Sequence, residues 1–244
     1  MTEDRKEKIE KYAKSIKKKL IDEFKVTDFS DPFKVISLLD NYIIIRFKND
    51  KEIQGFTLKK GKYICIYINS ADVLGRQHYS CWHEFYHSID DINELRVSKK
   101  GDKSPAEEEA EYFAGCMILD REELDYYIRQ KWGSEKKLDE EALVDIQYKF
   151  KVSFSALKTR LAEIYNNKSF YKYNINSREN REKYESLVKK MDFTLDLISE
   201  TNDFCLPSSF IVNLKNNIVS NRISLEKANK IIDFLSENEV DTKW

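Results

Sequence analysis

The chain has 244 residues, of which 41% are hydrophobic and 35% charged, with a formal net charge of −1. That is enough apolar material for one large domain, or a core domain with an appendage, and it excludes bulk disorder. Near-neutral charge gives no reason to expect a dedicated nucleic-acid binder, although it leaves room for a local basic patch.

Residues 4–24 read as a helix, because Ile9, Tyr12, Ala13, Ile16, Leu20 and Phe24 recur at helical spacing. This opening segment lacks the apolar centre of a secretory signal. No later stretch approaches 18 uninterrupted apolar residues, so a cytoplasmic chain without a membrane span is expected. From Lys11 to Lys19 there are five lysines and no acid. A solvated helix face explains the run, and a surface for nucleic acid or acidic lipid is the alternative. Asp31-Pro32 marks a helix start ahead of a short helix over 33–39. Residues 42–47 are rich in β-formers, 54–58 is a second candidate strand, and a Lys-Lys-Gly-Lys turn leads into 63–69, the clearest strand. Such short runs predict a small, mainly antiparallel sheet packed with helices, an α+β fold.

The next segment, 74–89, carries the chemistry. The three histidines of the chain are His78, His83 and His87, and the last two belong to the run HEFYH, a complete H-E-x-x-H. On a helix, residues four apart share a face, so both rings can reach one ion. Glu84, beside the first ring, can hold a water on that ion, which is a zinc-peptidase arrangement. Trp82, Phe85, Tyr86 and Ile89 form the apolar side of this helix. The two rings flank that side, at the edge of the core, where a cleft can open on them.

Two histidines and a water leave a peptidase zinc site one protein ligand short. His78 precedes His83 by five residues, a poor offset for the same face, and reads as a surface or helix-entry residue. A carboxylate is therefore expected. Residues 96–103 read as a polar loop, after which Ser104 fits an N-cap and Pro105 the first helical position. In the helix that follows, Glu107 leads as third ligand, and Glu108, Glu109 and Glu111 remain open. Glu107 has a competing role as a capping-box residue answering Ser104. Ala110 and Ala114 carry little bulk and would let this helix approach a neighbour closely.

Residues 138–165 read as two helices with a turn at Lys151-Val152-Ser153. A helix pair of this kind is half of a helix-turn-helix, but it lacks a cluster of base-reading residues and reads as packing, so direct nucleic-acid binding is not expected. Asn, Ser and Lys accumulate over 166–178, where an appendage begins. Within it 178–198 is helical in period, Cys205-Leu206-Pro207 breaks the pattern, 210–219 is ambiguous and 224–235 is helical. The expected division is a catalytic unit over 1–165 and a mostly helical regulatory or recognition unit over 166–244. Cys65, Cys81, Cys116 and Cys205 form no C-x-x-C pair, which removes zinc-ribbon and disulfide-rich readings.

HEFYH followed some twenty residues later by EEEAEYFAGCMIL resembles the ImmA/IrrE family of zinc metallopeptidases. The likeness spans roughly 28–165. It includes Asp31-Pro32-Phe33, the YICIYIN strand, the Gly-Arg lead into HEFYH, and FKVSFSALKTRL at 150–161. Carried over residue by residue, it implies that His83, His87 and Glu107 hold Zn2+ and that Glu84 is the general base of peptide hydrolysis. Three departures stand out. Tyr86 replaces a common glycine, Glu111 takes an Asn or Asp position from which it could orient a histidine, and Asp120 follows the alanine helix where a proline is usual. An oxyanion donor would help, with His78, Tyr79 and Tyr86 as candidates, and a substrate backbone could pair with an exposed edge at 63–69. The resemblance implies a helix-turn-helix transcriptional regulator as substrate, with repressor cleavage in a mobile element or stress response, and leaves a toxin–antitoxin setting open. The alternative from another class is a metal-stabilised interaction module without catalysis.

Overall fold

A computed structural model describes residues 1–50, 52–89, 104–133, 138–173, 175 and 177–238, together with the backbone of 96–99. Helix α1 (Glu3–Phe24) is capped by the Thr2 hydroxyl and ends at Lys25 in the left-handed region, φ 58°. Ile9, Ala13 and Leu20 line its buried face, and Lys17 is buried with them. The Lys17 ammonium reaches Glu123 at 3.1 Å and lies over the Phe29 ring. Lys11, Lys14 and Lys18 meet Glu7, Glu122 and Asp22. Four of the five lysines in the run thus meet carboxylates of their own chain. Helix α2 (Pro32–Ile36) is shorter than the 33–39 span expected, because Leu38 N and Leu39 N turn to the carbonyls three residues back and tighten the chain.

Strands β1 (Tyr42–Phe47), β2 (Ile53–Lys60), β3 (Tyr63–Asn69) and β4 (Arg96–Lys99) form one sheet in the order β1-β3-β2-β4. The β2–β3 and β2–β4 pairings are antiparallel and β1–β3 is parallel, so the fold is α+β with a small, mainly antiparallel sheet. The β2–β3 hairpin turns through Gly61 at φ 59°, a conformation that favours glycine. Two expectations are corrected here. Residues 96–99 pair with β2 as a strand rather than lying in a loop, while 100–103 fall outside the described residues. Strand β3 is hydrogen-bonded on both sides, so it offers no exposed edge to a substrate.

Helix α3 (Leu74–Ile89) packs on β2 and β3, with Cys81 and Trp82 fully buried and the Trp82 indole donating to Phe29 O at 3.1 Å. Helix α4 (Pro105–Ile118) lies against α3 with Ala110 and Ala114 completely enclosed, the use expected of two small residues at that spacing. Helix α5 (Arg121–Trp132) has no counterpart in the sequence reading. It is mostly polar and buries Leu124 and Ile128, so its apolar period is faint, but Asp120 caps it through Glu122 N and Glu123 N. Helices α6 (Glu140–Phe150) and α7 (Phe154–Ile164) flank a left-handed Lys151, φ 48°. Arg160 of α7 is buried beneath the Tyr112 ring and donates from Nε to Leu119 O at 3.2 Å, tying α7 to the end of α4.

Helix α8 (Arg178–Lys190) sets Tyr184 against Phe154 of α7. It stops eight residues before the expected 198, where Asp192 enters the left-handed region at φ 64°. The ambiguous stretch is helix α9 (Phe210–Val219), and α10 (Leu225–Glu237) follows. Between α8 and α9 the chain returns to the sheet. Arg46 and Cys205 exchange backbone hydrogen bonds at 2.9 and 2.7 Å, Asn202 N donates to Ser70 O, and Leu74 N, at the first turn of α3, donates to Ser199 O. Among the described residues no helix is long and apolar enough to cross a membrane.

Gly75 fixes how closely α3 approaches the α6–α7 turn. A Cβ there would sit 2.7 Å from Val152 C and 2.7 Å from Ser153 N, both backbone atoms, and Gly75 O accepts from Ser153 N at 3.1 Å. Gly75→Ala is expected to destabilise the fold by about 1–3 kcal/mol, the usual cost of overpacking a rigid contact. Urea unfolding of parent and variant checks this, and an unchanged midpoint would refute it.

Candidate metal centre

His83 and His87 lie one turn apart on α3, and their Nε2 atoms come within 3.1 Å of each other. Glu107, in the first turn of α4, bridges them. Its Oε2 is 2.9 Å from His83 Nε2 and its Oε1 is 3.0 Å from His87 Nε2. All three residues are buried, His87 completely. Ser104 Oγ accepts from Glu107 N at 3.4 Å, so the cap forms from the serine side while the Glu107 carboxylate is turned to the histidines. Burial alone would raise that carboxyl, but hydrogen bonds and charge from His83 and His87 outweigh it and hold the group well below the usual carboxylate range.

The donor set fits a divalent ion. Two imidazole nitrogens and a carboxylate oxygen are the ligand types of a peptidase zinc site, and these atoms all lie within 4.8 Å of one another. Metal–ligand bonds of about 2.0–2.2 Å place tetrahedral neighbours roughly 3.3 Å apart, close to the spacings found here.

The other carboxylates of the acidic helix go elsewhere. Glu109 binds Arg5 and accepts from the Tyr86 hydroxyl, and Glu108 faces the amine of Met1. Glu111 lies on the cleft wall, where burial and the charges of Glu107 and Glu108 raise its carboxyl against the pull of His83. Its main-chain oxygen accepts from the Tyr79 hydroxyl. His78 is not at the surface: it is buried, with Nδ1 2.8 Å from Lys151 O and its ring on Phe33. Of the three oxyanion candidates, Tyr79 alone lines the cleft.

That cleft, about 190 Å3, opens over His83, Glu84 and Glu107. Arg76 and Tyr79 of α3, Glu111 of α4 and Gln54 of β2 form its walls, and Ser155 and Thr159 of α7 close the far side. Sequence reasoning gave α7 a packing role and missed its second face. It also missed β2. The β2–β4 register slips between Ile53 and Gly55, and such a bulge re-aims the side chain at its centre, here Gln54. Glu84 is buried beside β2, with its Oε2 2.9 Å from Thr57 Oγ1.

Residues 41–162 match the Peptidase M78 family, described as the IrrE N-terminal-like domain. The chain belongs to this family. The M78 match starts at the head of β1 and ends in α7, so it takes in the sheet, both helices that carry the His-His-Glu group and the cleft wall, and leaves out α1, α2 and α8–α10. M78 proteins are of metallopeptidase type, in accord with a buried His-His-Glu group able to hold a metal. A comparison with curated proteins finds no match.

Dialysis of the zinc-loaded protein against a chelator is expected to lower its thermal midpoint by at least about 5 °C, since ion binding to the folded state alone adds to stability. His87→Ala is expected to carry no ion and to be indifferent to chelator. Calorimetry with elemental analysis reads both, and equal midpoints with and without chelator in the parent would refute the centre.

Proposed function

We propose that this chain is a zinc-dependent endopeptidase acting on a specific helix-turn-helix transcriptional regulator. The observation that carries the catalytic half is the buried triangle of His83, His87 and Glu107 with Glu84 beside it on the same cleft. Bound zinc would supply a Lewis acid that polarises a scissile carbonyl and acidifies water. The side chains of the protein do the rest. His83, His87 and Glu107 would hold the ion. Glu84 takes a proton from the attacking water and returns it to the leaving amine, so one carboxylate serves as base and then as acid. Cleft volume supports a peptide segment entering in extended form rather than a folded domain. The substrate therefore presents a linker or loop.

The regulator as substrate, its setting in a mobile element, stress response or toxin–antitoxin module, and a cytoplasmic location rest on the resemblance of 28–165. Residues 166–244 are read as a regulatory or recognition unit. Exposed Val212, Val219, Leu225 and Phe234 on α9 and α10 give that unit apolar surface to offer a partner. Deletion of 208–244, which keeps the strand-like return to the sheet, is expected to leave zinc content intact and to abolish cleavage of the cognate regulator. Full, specific cleavage by the truncated chain would overturn the recognition role.

Glu84→Gln separates the peptidase from a metal-stabilised interaction module. The variant is expected to keep stoichiometric zinc and to lose at least about a thousandfold in cleavage, as removal of a general base from a metal-assisted reaction does. Coexpression with a candidate helix-turn-helix regulator, read by immunoblot, provides the assay. Full biological activity of Glu84→Gln would move the module to first place.

A further inference from the structure

The Thr57 hydroxyl lies 2.9 Å from Glu84 Oε2 and 3.0 Å from Glu84 O, in a site where both residues are almost wholly enclosed. A hydroxyl has one proton, and a carboxylate oxygen accepts more strongly than a main-chain carbonyl. The donation therefore goes to Oε2 and fixes the side-chain rotation of Glu84. A second constraint acts on the other oxygen. A Cβ on Gly55 would come within 3.0 Å of Glu84 Cγ and 3.0 Å of Oε1, and within 2.9 Å of Tyr67 O. Strand β2 thus supplies a donor on one side of the carboxylate and, two residues earlier on the same face, a gap that admits it.

We propose that β2 is a cradle for the proton-transfer group, with Thr57 as a positioning residue that orients Glu84 and Gly55 as the residue that leaves room for it. The inference rests on the reading of Glu84 as base, but its physical core, a hydrogen bond that sets the carboxylate, can be measured without turnover. Thr57 touches neither substrate nor ion in this account. Its loss would let Glu84 rotate away from the attacking water while the His83–His87–Glu107 group stays as it is, because Thr57 contacts none of those three side chains in any hydrogen bond described.

The test uses the full-length, zinc-loaded protein with 13C in its glutamate carboxyls. The Glu84 resonance is identified by its disappearance in Glu84→Gln. Thr57→Val is expected to move that resonance, to leave zinc content unchanged, and to lower kcat on a pool of quenched-fluorescent peptides by about tenfold or more, with KM within about twofold. Thr57→Ser, which keeps the hydroxyl, is expected to restore both the resonance and kcat. If Thr57→Val does not fold, Thr57→Ala is read in the same way. An unmoved Glu84 resonance in the hydroxyl-free variant overturns the proposal, as does a fall in kcat that Thr57→Ser fails to rescue. If the parent cleaves none of the peptides, that failure counts against the peptidase reading on these probes, and the resonance still decides for or against the role of Thr57.

Discussion

The carboxylate of Glu107 is shared between two histidine nitrogens on another helix, and much of the central packing follows from that bridge. For one carboxylate to reach both rings, the first turn of α4 must lie directly against the middle of α3. Two alanines with no exposed surface make that approach feasible. Arg160 then secures the far end of α4 through the Leu119 carbonyl, so the helix is held at both ends while its first turn faces the histidines. The arrangement takes three ionisable groups out of water, a cost that hydrocarbon contacts do not offset. A cation held by the three would offset it, which would make the ion part of the folding balance.

Two kinds of wall meet at the cleft. The helical side, from α3 and α4, brings the metal-binding groups and is rigid because its residues are enclosed. The sheet side, from β2, brings the environment of Glu84. Helix α7 belongs to both the core and the cleft: Leu157 and Leu161 face inward, whereas Ser155 and Thr159 face the opening.

The elements with strong periodicity were legible in the sequence. The strand Tyr63–Asn69 and the helix Leu74–Ile89 have the bounds expected of them, and the Ser104-Pro105 start of α4 was evident from capping chemistry alone. Helix α5 was invisible because only two of its side chains are buried, and β4 because Arg-Val-Ser-Lys carries no alternation strong enough to signal a strand. At the site, HEFYH announced two rings and an acid, and Glu107 led among four crowded glutamates; the course of α4 sets its carboxylate, and not its neighbours, against the two rings. His78 was misplaced at the surface because histidine reads as polar, yet its ring meets Phe33 edge-on and its nitrogen finds a main-chain carbonyl. The part played by β2 did leave a trace. A glycine in the middle of a strand signals that something approaches the backbone closely, and at Gly55 that neighbour is Glu84.

The return of the chain at 199–205 has a consequence for biogenesis. Strand β1 reaches its pairing partner β3 early in synthesis, but its other side and the first turn of α3 receive their hydrogen bonds from residues made more than 100 positions later. Until that segment leaves the ribosome, the outer edge of β1 lacks its backbone partner at Arg46, and an open strand edge is the kind of template on which chains pair with one another. The unit that carries the His-His-Glu group is therefore complete in sequence well before it is complete as a surface. Premature termination between the end of α7 and Cys205 would release a chain with every metal-binding residue in place and an unprotected strand beside them.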